Sequence, residues 1–255
     1  MRVTSSLAGI LMVAVSLLLG GCGIFTEQPA VLLPAPELYD KGNQDLDRRR
    51  YEDARASFRK IVERFPNSSL APKARFLIGE SHYREGEFDK ATKEFEAFMA
   101  FYPRHMIADL AQYRLAMSYY DQLKPVEQDQ GLTAKAVAEF QKLVKEYPES
   151  RYAPDALAKI DIGRGRLAQK ELWVASYYYN QGNVVAARQR LEVILKDYPR
   201  TLVVPETLFL LAEVSIKEGR AEEATNTLRR LAEEYSYTEW GRRAVQRLNT
   251  AARGR

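Results

Sequence analysis

The sequence predicts an all-α solenoid built from five helix pairs, and three observations carry that prediction. Five times an alanine is followed eleven residues later by an aromatic: Ala54 and Phe65, Ala91 and Tyr102, Ala136 and Tyr147, Ala187 and Tyr198, Ala224 and Tyr235. In the first four, proline follows at once, as Pro66, Pro103, Pro148 and Pro199, and the fifth carries Ser236 instead. Four residues after each alanine stands a large apolar side chain: Phe58, Phe95, Phe140, Leu191 and Leu228. Fixed spacing in five copies marks a repeat architecture, in which end units deviate.

Each unit reads as helix, turn, helix and loop. Glycine stands five residues before the alanine in four units (Gly86, Gly131, Gly182, Gly219), with Arg49 in the first. Such a glycine suits the left-handed backbone position that ends one helix and turns the chain. In the segment Phe88 to Phe101, Phe88, Ala91, Phe95, Phe98 and Met99 recur at helical spacing, which makes an amphipathic helix. The aromatic–proline pair ends it, because proline disfavours a helical residue before itself and breaks the backbone ladder. Ser68, Ser150, Thr201 and Thr238 then stand as N-cap candidates, with Pro72, Pro154 and Pro205 in or near the next first turn. Helix pairs this short do not bury an apolar face alone, so the units must stack.

The repeats are expected at 37–66, 67–103, 104–148, 149–199 and 200–250, with a tail at 251–255. Spacing between the prolines grows along the chain. The third unit's surplus falls in Asp121 to Gln130, a polar loop with proline, and the fourth unit's in Ile160 to Asn180. Without proline, that second stretch predicts one over-long helix from Tyr152 to Asn180, with Gly163 and Gly165 as its weak points.

Residues 1–21 read as a signal peptide: Arg2, an apolar run from Leu7 to Leu19, then Gly20, Gly21 and Cys22. The run is too short to cross a bilayer, which takes roughly 20 residues. Leu-Gly-Gly before the only cysteine resembles the bacterial lipobox, which implies lipidation of Cys22 and cleavage before it. An ordinary signal peptide or a buried free cysteine is the competing reading. Residues 22–36, with Pro29, Pro34 and Pro36, then form a tether. No thiol remains for a disulfide, so the exported fold rests on a hydrophobic core. The formal charge of +4 falls to +3 when Arg2 leaves with the signal peptide, and this interleaved balance does not argue for nucleic acid.

Catalytic and metal constellations are not expected. Neither His82 nor His105 has a second histidine or cysteine at ligand spacing, and His82 falls at a helix-packing position. Gly163 to Ala168 mimics part of a dinucleotide fingerprint but sits inside a predicted helix without a preceding strand. Glu222/Glu223 and Glu233/Glu234 read as solvated helix faces, and no cofactor is expected.

A binding surface is better supported. Tyr39, Phe76 and Tyr113 are spaced 37 apart on successive first helices, and so are Leu46, Tyr83 and Tyr120. These two ladders predict a peptide-binding groove on the concave side, with inter-repeat core as the alternative for each residue. Phe209 continues the first ladder, and Ala158 interrupts it. In the C-terminal half, Trp173, Tyr177, Arg188, Arg229, Arg230 and Arg242 supply the aromatic and arginine composition of a protein–protein interface.

Gly79, Tyr83, Ala91, Phe95 and Pro103 fall at or next to the signature positions of the tetratricopeptide repeat, and this resemblance implies a right-handed superhelix. Lipobox, tether and five repeats together, with Arg151–Pro154, Lys196–Pro199 and the long fourth-unit helix, resemble the BamD (ComL) family of outer-membrane assembly lipoproteins. That resemblance implies a periplasm-facing, outer-membrane-anchored scaffold without enzymatic activity. Its C-terminal repeats would hold the POTRA-bearing barrel subunit (BamA) alongside other assembly lipoproteins. Its N-terminal repeats would engage unfolded outer-membrane proteins. Other repeat lipoproteins, such as a type IV pilotin or a polysaccharide-export scaffold, and a peptidoglycan-associated adaptor are the alternatives.

Overall fold

The computed structural model describes residues 33–253, so the expected signal peptide, Cys22 and most of the tether lie outside the described residues. Eleven helices follow in order: α1 Ala35–Asp47, α2 Tyr51–Arg64, α3 Ala71–Glu85, α4 Phe88–Phe101, α5 Ala108–Tyr120, α6 Gly131–Glu146, α7 Ala153–Asn180, α8 Val184–Asp197, α9 Val204–Lys217, α10 Ala221–Glu234 and α11 Glu239–Arg253. No strand occurs among the described residues. Each helix packs on the next, and first helices also touch one another, α3 with α5, α7 with α9 and α9 with α11. The result is a helical-repeat solenoid of five pairs closed by a single C-terminal helix. No helix among the described residues is long and apolar enough to cross a membrane.

The repeat signature is the core. Ala54, Ala91, Ala136, Ala187 and Ala224 are all buried, as are Phe58, Phe95, Phe140, Leu191 and Leu228. A small residue lets the second helix approach its partner closely, and the large one a turn later fills the space between helices. Four core clusters among the described residues each draw on three consecutive helices. Phe76 of α3, Phe95 and Phe98 of α4, and Leu115 of α5 form one. Phe140 and Leu143 of α6 sit between Ala116 of α5 and Ile160 of α7 in the next. Leu191 and Ile194 of α8 lie between Leu172 of α7 and Leu211 of α9. In the last, Leu228 and Leu231 of α10 are covered by Ala244 of α11. Burying a Phe or Leu side chain contributes about 1.5–3 kcal/mol, so this shared burial dominates over helix propensity.

Helix ends follow the repeat with instructive departures. Phe65, Tyr102, Tyr147, Tyr198 and Tyr235 each terminate a second helix with φ near −130° and an amide still bonded four residues back. Gly86, Gly182 and Gly219 take φ of 80°, 76° and 78°, and Arg49 takes 59° at the same position of the first unit. Gly131 breaks the pattern: it begins α6, because the long loop before it turns the chain without a left-handed residue. Pro72, Pro154 and Pro205 occupy first turns as expected. Ser68, Ser150 and Thr201 do not cap helices. The serine hydroxyls accept the amides of Leu70 and Tyr152 at 3.2 Å, within a single turn ahead of the helix. Thr238 does cap, accepting the Gly241 amide at 3.0 Å. The tether's expected end at residue 36 moves to Pro34, since Pro36 suits the first turn of α1. The tail expected from residue 251 is helical through Arg253.

The long helix α7 extends from Ala153 to Asn180, with Tyr152 as its N-cap. Gly163 is not a weak point but a contact: a Cβ there would meet Val137 Cγ2 at 2.4 Å. Gly163→Ala should therefore destabilise the fold by about 1–3 kcal/mol through overpacking, and Val137→Ala in the same chain should recover most of the loss. Chemical denaturation of the two variants and wild type measures both effects.

Candidate functional site

The predicted N-terminal ladders divide into core and surface. Leu46 and Phe76 are buried, against expectation for groove residues. Phe76 packs on Phe95 at 5.5 Å and Phe98 at 6.2 Å between ring centroids, because its position on α3 faces the second helix of its own pair. Tyr39, Tyr83, Tyr113 and Tyr120 are only half-buried. Tyr39 meets Phe58 edge-on at 6.0 Å, and Tyr120 meets Phe140 in the same way at 6.0 Å.

Charged groups surround the last three tyrosines. Tyr83 donates its hydroxyl to Asp121, and the Arg114 guanidinium lies 5.0 Å over its ring. Tyr113 donates to Asp155 Oδ2 at 2.6 Å and stacks on Tyr152 at 4.8 Å. Lys159 sits 4.7 Å over Tyr120. Glu80 is buried and bridges Arg84 and Arg114, each at 2.9 Å. The N-terminal row is thus a strip of aromatic rings with cations and carboxylates, and the Tyr83 and Tyr113 hydroxyls are tied to the following unit. Burial, then the bond to Asp121 or Asp155, pushes both the Tyr83 and Tyr113 hydroxyls well above the usual tyrosine range. Tyr119, which donates to Glu96 at 3.1 Å, is pushed up to about 12 by burial first and then that bond.

His82 is buried, as a packing position requires, with Nδ1 2.7 Å from Glu87 Oε2. With Glu85 it forms the one acidic–histidine cluster of metal-like spacing among the described residues. Both carboxylates already have cations: Glu85 pairs with Arg55, and Glu87 with Lys90 at 2.5 Å. The cluster is an ion-pair junction between the first two repeats.

In the C-terminal half the structure separates the six expected interface residues. Trp173 and Tyr177 are about half exposed on α7, with the Lys170 ammonium 4.6 Å over the Trp173 ring. Arg229, Arg230 and Arg242 are exposed, and Arg230 pairs with Glu234 at 3.1 Å. Arg188 is not available. It is largely buried and bonds Ser215 at 2.9 Å, Glu218 at 2.6 Å and Glu223 at 2.5 Å. Arg55 does the same with Ser81, Glu85 and Glu52. Both arginines directly follow the repeat alanine, so each is a clamp from one second helix to the next pair. That shared repeat position was the available signal.

Sequence reading missed a cavity of about 530 Å³ between the end of α7, α9 and α11. Phe209 and Trp240 lie 5.3 Å apart there, and the Arg243 guanidinium covers both, 4.7 Å and 4.3 Å from their centroids. Burial pushes the Glu206 carboxyl up, partly offset by Arg243. Phe209 alone was legible from the ladder; its partners come from α11, which lies beyond the fifth alanine–aromatic pair.

The family model YfiO, described as outer membrane lipoprotein, matches residues 33–231. The outer membrane protein assembly factor BamD of Caulobacter vibrioides is 31% identical, covering 83% of this chain and 70% of that protein. The protein of the same name from Rickettsia prowazekii is 28% identical across 94% of this chain and 95% of its own length. That of Neisseria meningitidis serogroup A is 28% identical over 76% of each.

Two outcomes follow from this geometry. Arg188→Ala should lose about 1–3 kcal/mol of stability, because Glu218 and Glu223 keep only the longer pairings with Arg220 at 3.5 Å, whereas Arg229→Ala and Arg242→Ala should stay within about 0.5 kcal/mol. Denaturant midpoints distinguish them. The raised tyrosines favour the protonated form of the fold, so their stabilisation is complete below about pH 10 and is lost as pH rises further. Thermal midpoints should fall steeply above that pH, and less steeply in Tyr83→Phe with Tyr113→Phe.

Proposed function

Because the chain belongs to the YfiO family of outer membrane lipoproteins, we propose that it is a non-catalytic scaffold of outer-membrane protein assembly. The observation that supports this most is the family match running from the first helix into the fifth repeat. Relatives that cover most of the chain carry the name of an outer membrane protein assembly factor.

In this reading the N-terminal inner row takes unfolded outer-membrane proteins. Tyr39, Tyr83, Tyr113 and Tyr120 supply flat apolar area, and Arg84, Arg114 and Lys159 supply partners for polar groups of an extended chain. Aromatic rings with few rotatable bonds suit binding of varied sequences at low entropic cost. The C-terminal repeats hold the POTRA-bearing barrel subunit, with Trp173, Tyr177, Arg229, Arg230 and Arg242 as contact candidates. Lipid on Cys22 fixes the scaffold to the periplasmic face of the outer membrane, since two or more acyl chains make attachment stable.

The test is affinity of a labelled barrel-protein C-terminal peptide for the detergent-solubilised chain. Tyr83→Ala with Tyr113→Ala should weaken binding by about tenfold or more with helix content unchanged, and phenylalanine at both positions should retain most of it. Equal affinity of the alanine variant removes the groove assignment. Purification from membranes should bring down a POTRA-bearing barrel protein, and a secretin or a glycan hydrolase in its place overturns the scaffold reading. Cys22→Ala should leave the membrane fraction or stay unprocessed; normal outer-membrane anchoring of that variant refutes lipidation.

A further inference from the structure

A cleft of about 690 Å³ opens between the middle of α7 and the loop that joins α8 to α9. Two apolar side chains at its rim are held out in solvent: Leu202 is 98% exposed and Ile162 52%. Leu202 belongs to the short loop turn before α9, and Ile162 to the extra length that sets α7 apart from the other first helices. Exposing a leucine almost completely forgoes its burial energy, and two exposed apolar side chains lining one cleft give a partner apolar area to cover.

The same cleft collects positive charge. Arg164, Arg166 and Arg200 line it, against one acid, Asp161. None of the three arginines pairs with a carboxylate among the described residues. Arg164 donates instead to the backbone carbonyl of Asp197 at 2.5 Å, and Arg166 to that of Lys124. Carbonyl acceptors hold the guanidinium planes in place without neutralising them. Arg166 Nε is buried with no acceptor at all. Elsewhere the chain spends its comparable arginines: Arg55, Arg188 and Arg247 each bind a carboxylate within 3 Å.

We propose that this cleft docks an acidic segment of a partner protein in which glutamate or aspartate alternates with leucine-like side chains. Apolar residues would cover Leu202 and Ile162 while carboxylates meet the arginines. The arginine fork matches a carboxylate bidentately, and positions already fixed by carbonyls lose little entropy on pairing. A lipid surface fits less well. Membrane recruitment uses a broad basic face, whereas here the charge lines a cleft between two elements. The proposal adds a site to the scaffold reading and does not depend on it.

The probe is a short labelled peptide alternating glutamate and leucine, titrated by fluorescence anisotropy into the full chain in detergent. A second peptide with glutamine for glutamate serves as the comparison. The acidic peptide should bind, and its affinity should fall with salt. Arg200→Glu and Leu202→Ser, both exposed and without structural bonds, should each weaken it by about tenfold. Arg164→Gln should do the same, with circular dichroism reporting whether α7 is intact. Absence of binding by the acidic peptide overturns the proposal, as does equal affinity for the glutamine peptide or indifference to Arg200→Glu and Leu202→Ser. A preference of the chain for phosphatidylglycerol over phosphatidylcholine vesicles that disappears in Arg200→Glu also overturns it, in favour of a membrane surface.

Discussion

No helix pair in this protein closes its own core. The large side chain of each of these second helices, Phe95, Phe140, Leu191 or Leu228, lies in a core cluster that takes in the next first helix as well as its own pair. That dependence imposes the solenoid, its direction of growth and the closing helix. Leu228 and Leu231 share their cluster with Val204, Leu208 and Ala212 of α9 on one side and Ala244 of α11 on the other. Stability in such an array is a sum over neighbour interfaces, so a change at one junction is felt most by the two units that share it.

Irregularity is absorbed at one place. The ten-residue loop of the third unit and the added turns of α7 pack against each other: Arg166 donates to Lys124, and Lys170 to Glu127 at 2.7 Å. Within the loop, Gln130 donates to the Pro125 carbonyl at 2.8 Å and accepts from Thr133 at 2.7 Å. Gly163 lets α7 approach Val137 of α6 there. The helical insertion satisfies its own backbone, and its side chains supply donors to loop carbonyls that have no helix or sheet of their own. The consequence is a widened surface on the fourth unit, carrying Ile162, Trp173 and Tyr177, on a fold otherwise governed by a tight repeat.

Charged side chains follow the same logic of neighbours. Arg55 and Arg188 reach from one pair to the serine and glutamate of the next, which turns an apparent surface arginine into part of the frame. The tyrosines of the inner row combine both demands. Tyr83 and Tyr113 pack their rings partly into the repeat and spend their hydroxyls on the next unit, yet leave aromatic area open. A binding strip on helices, with these two rings pinned at their far ends, loses little freedom when a chain settles on it.

The amino-acid sequence by itself determined the helix pairs, their number and the long helix from the fourth unit's start to Asn180. It could do so because those features are local: periodicity, proline and spacing are read along the chain. Only tertiary structure decided which members of a ladder were free. Leu46 and Phe76 occupy the same repeat positions as Tyr83 and Tyr113, but burial depends on what the neighbouring helix brings opposite, and that is not written at the position itself. The fate of Arg188, the packing role of Gly163 and the arginine-lined cleft beside Leu202 share this origin. Each is set by a residue distant in sequence and adjacent in space, where one side chain's exposure is another's choice of contact.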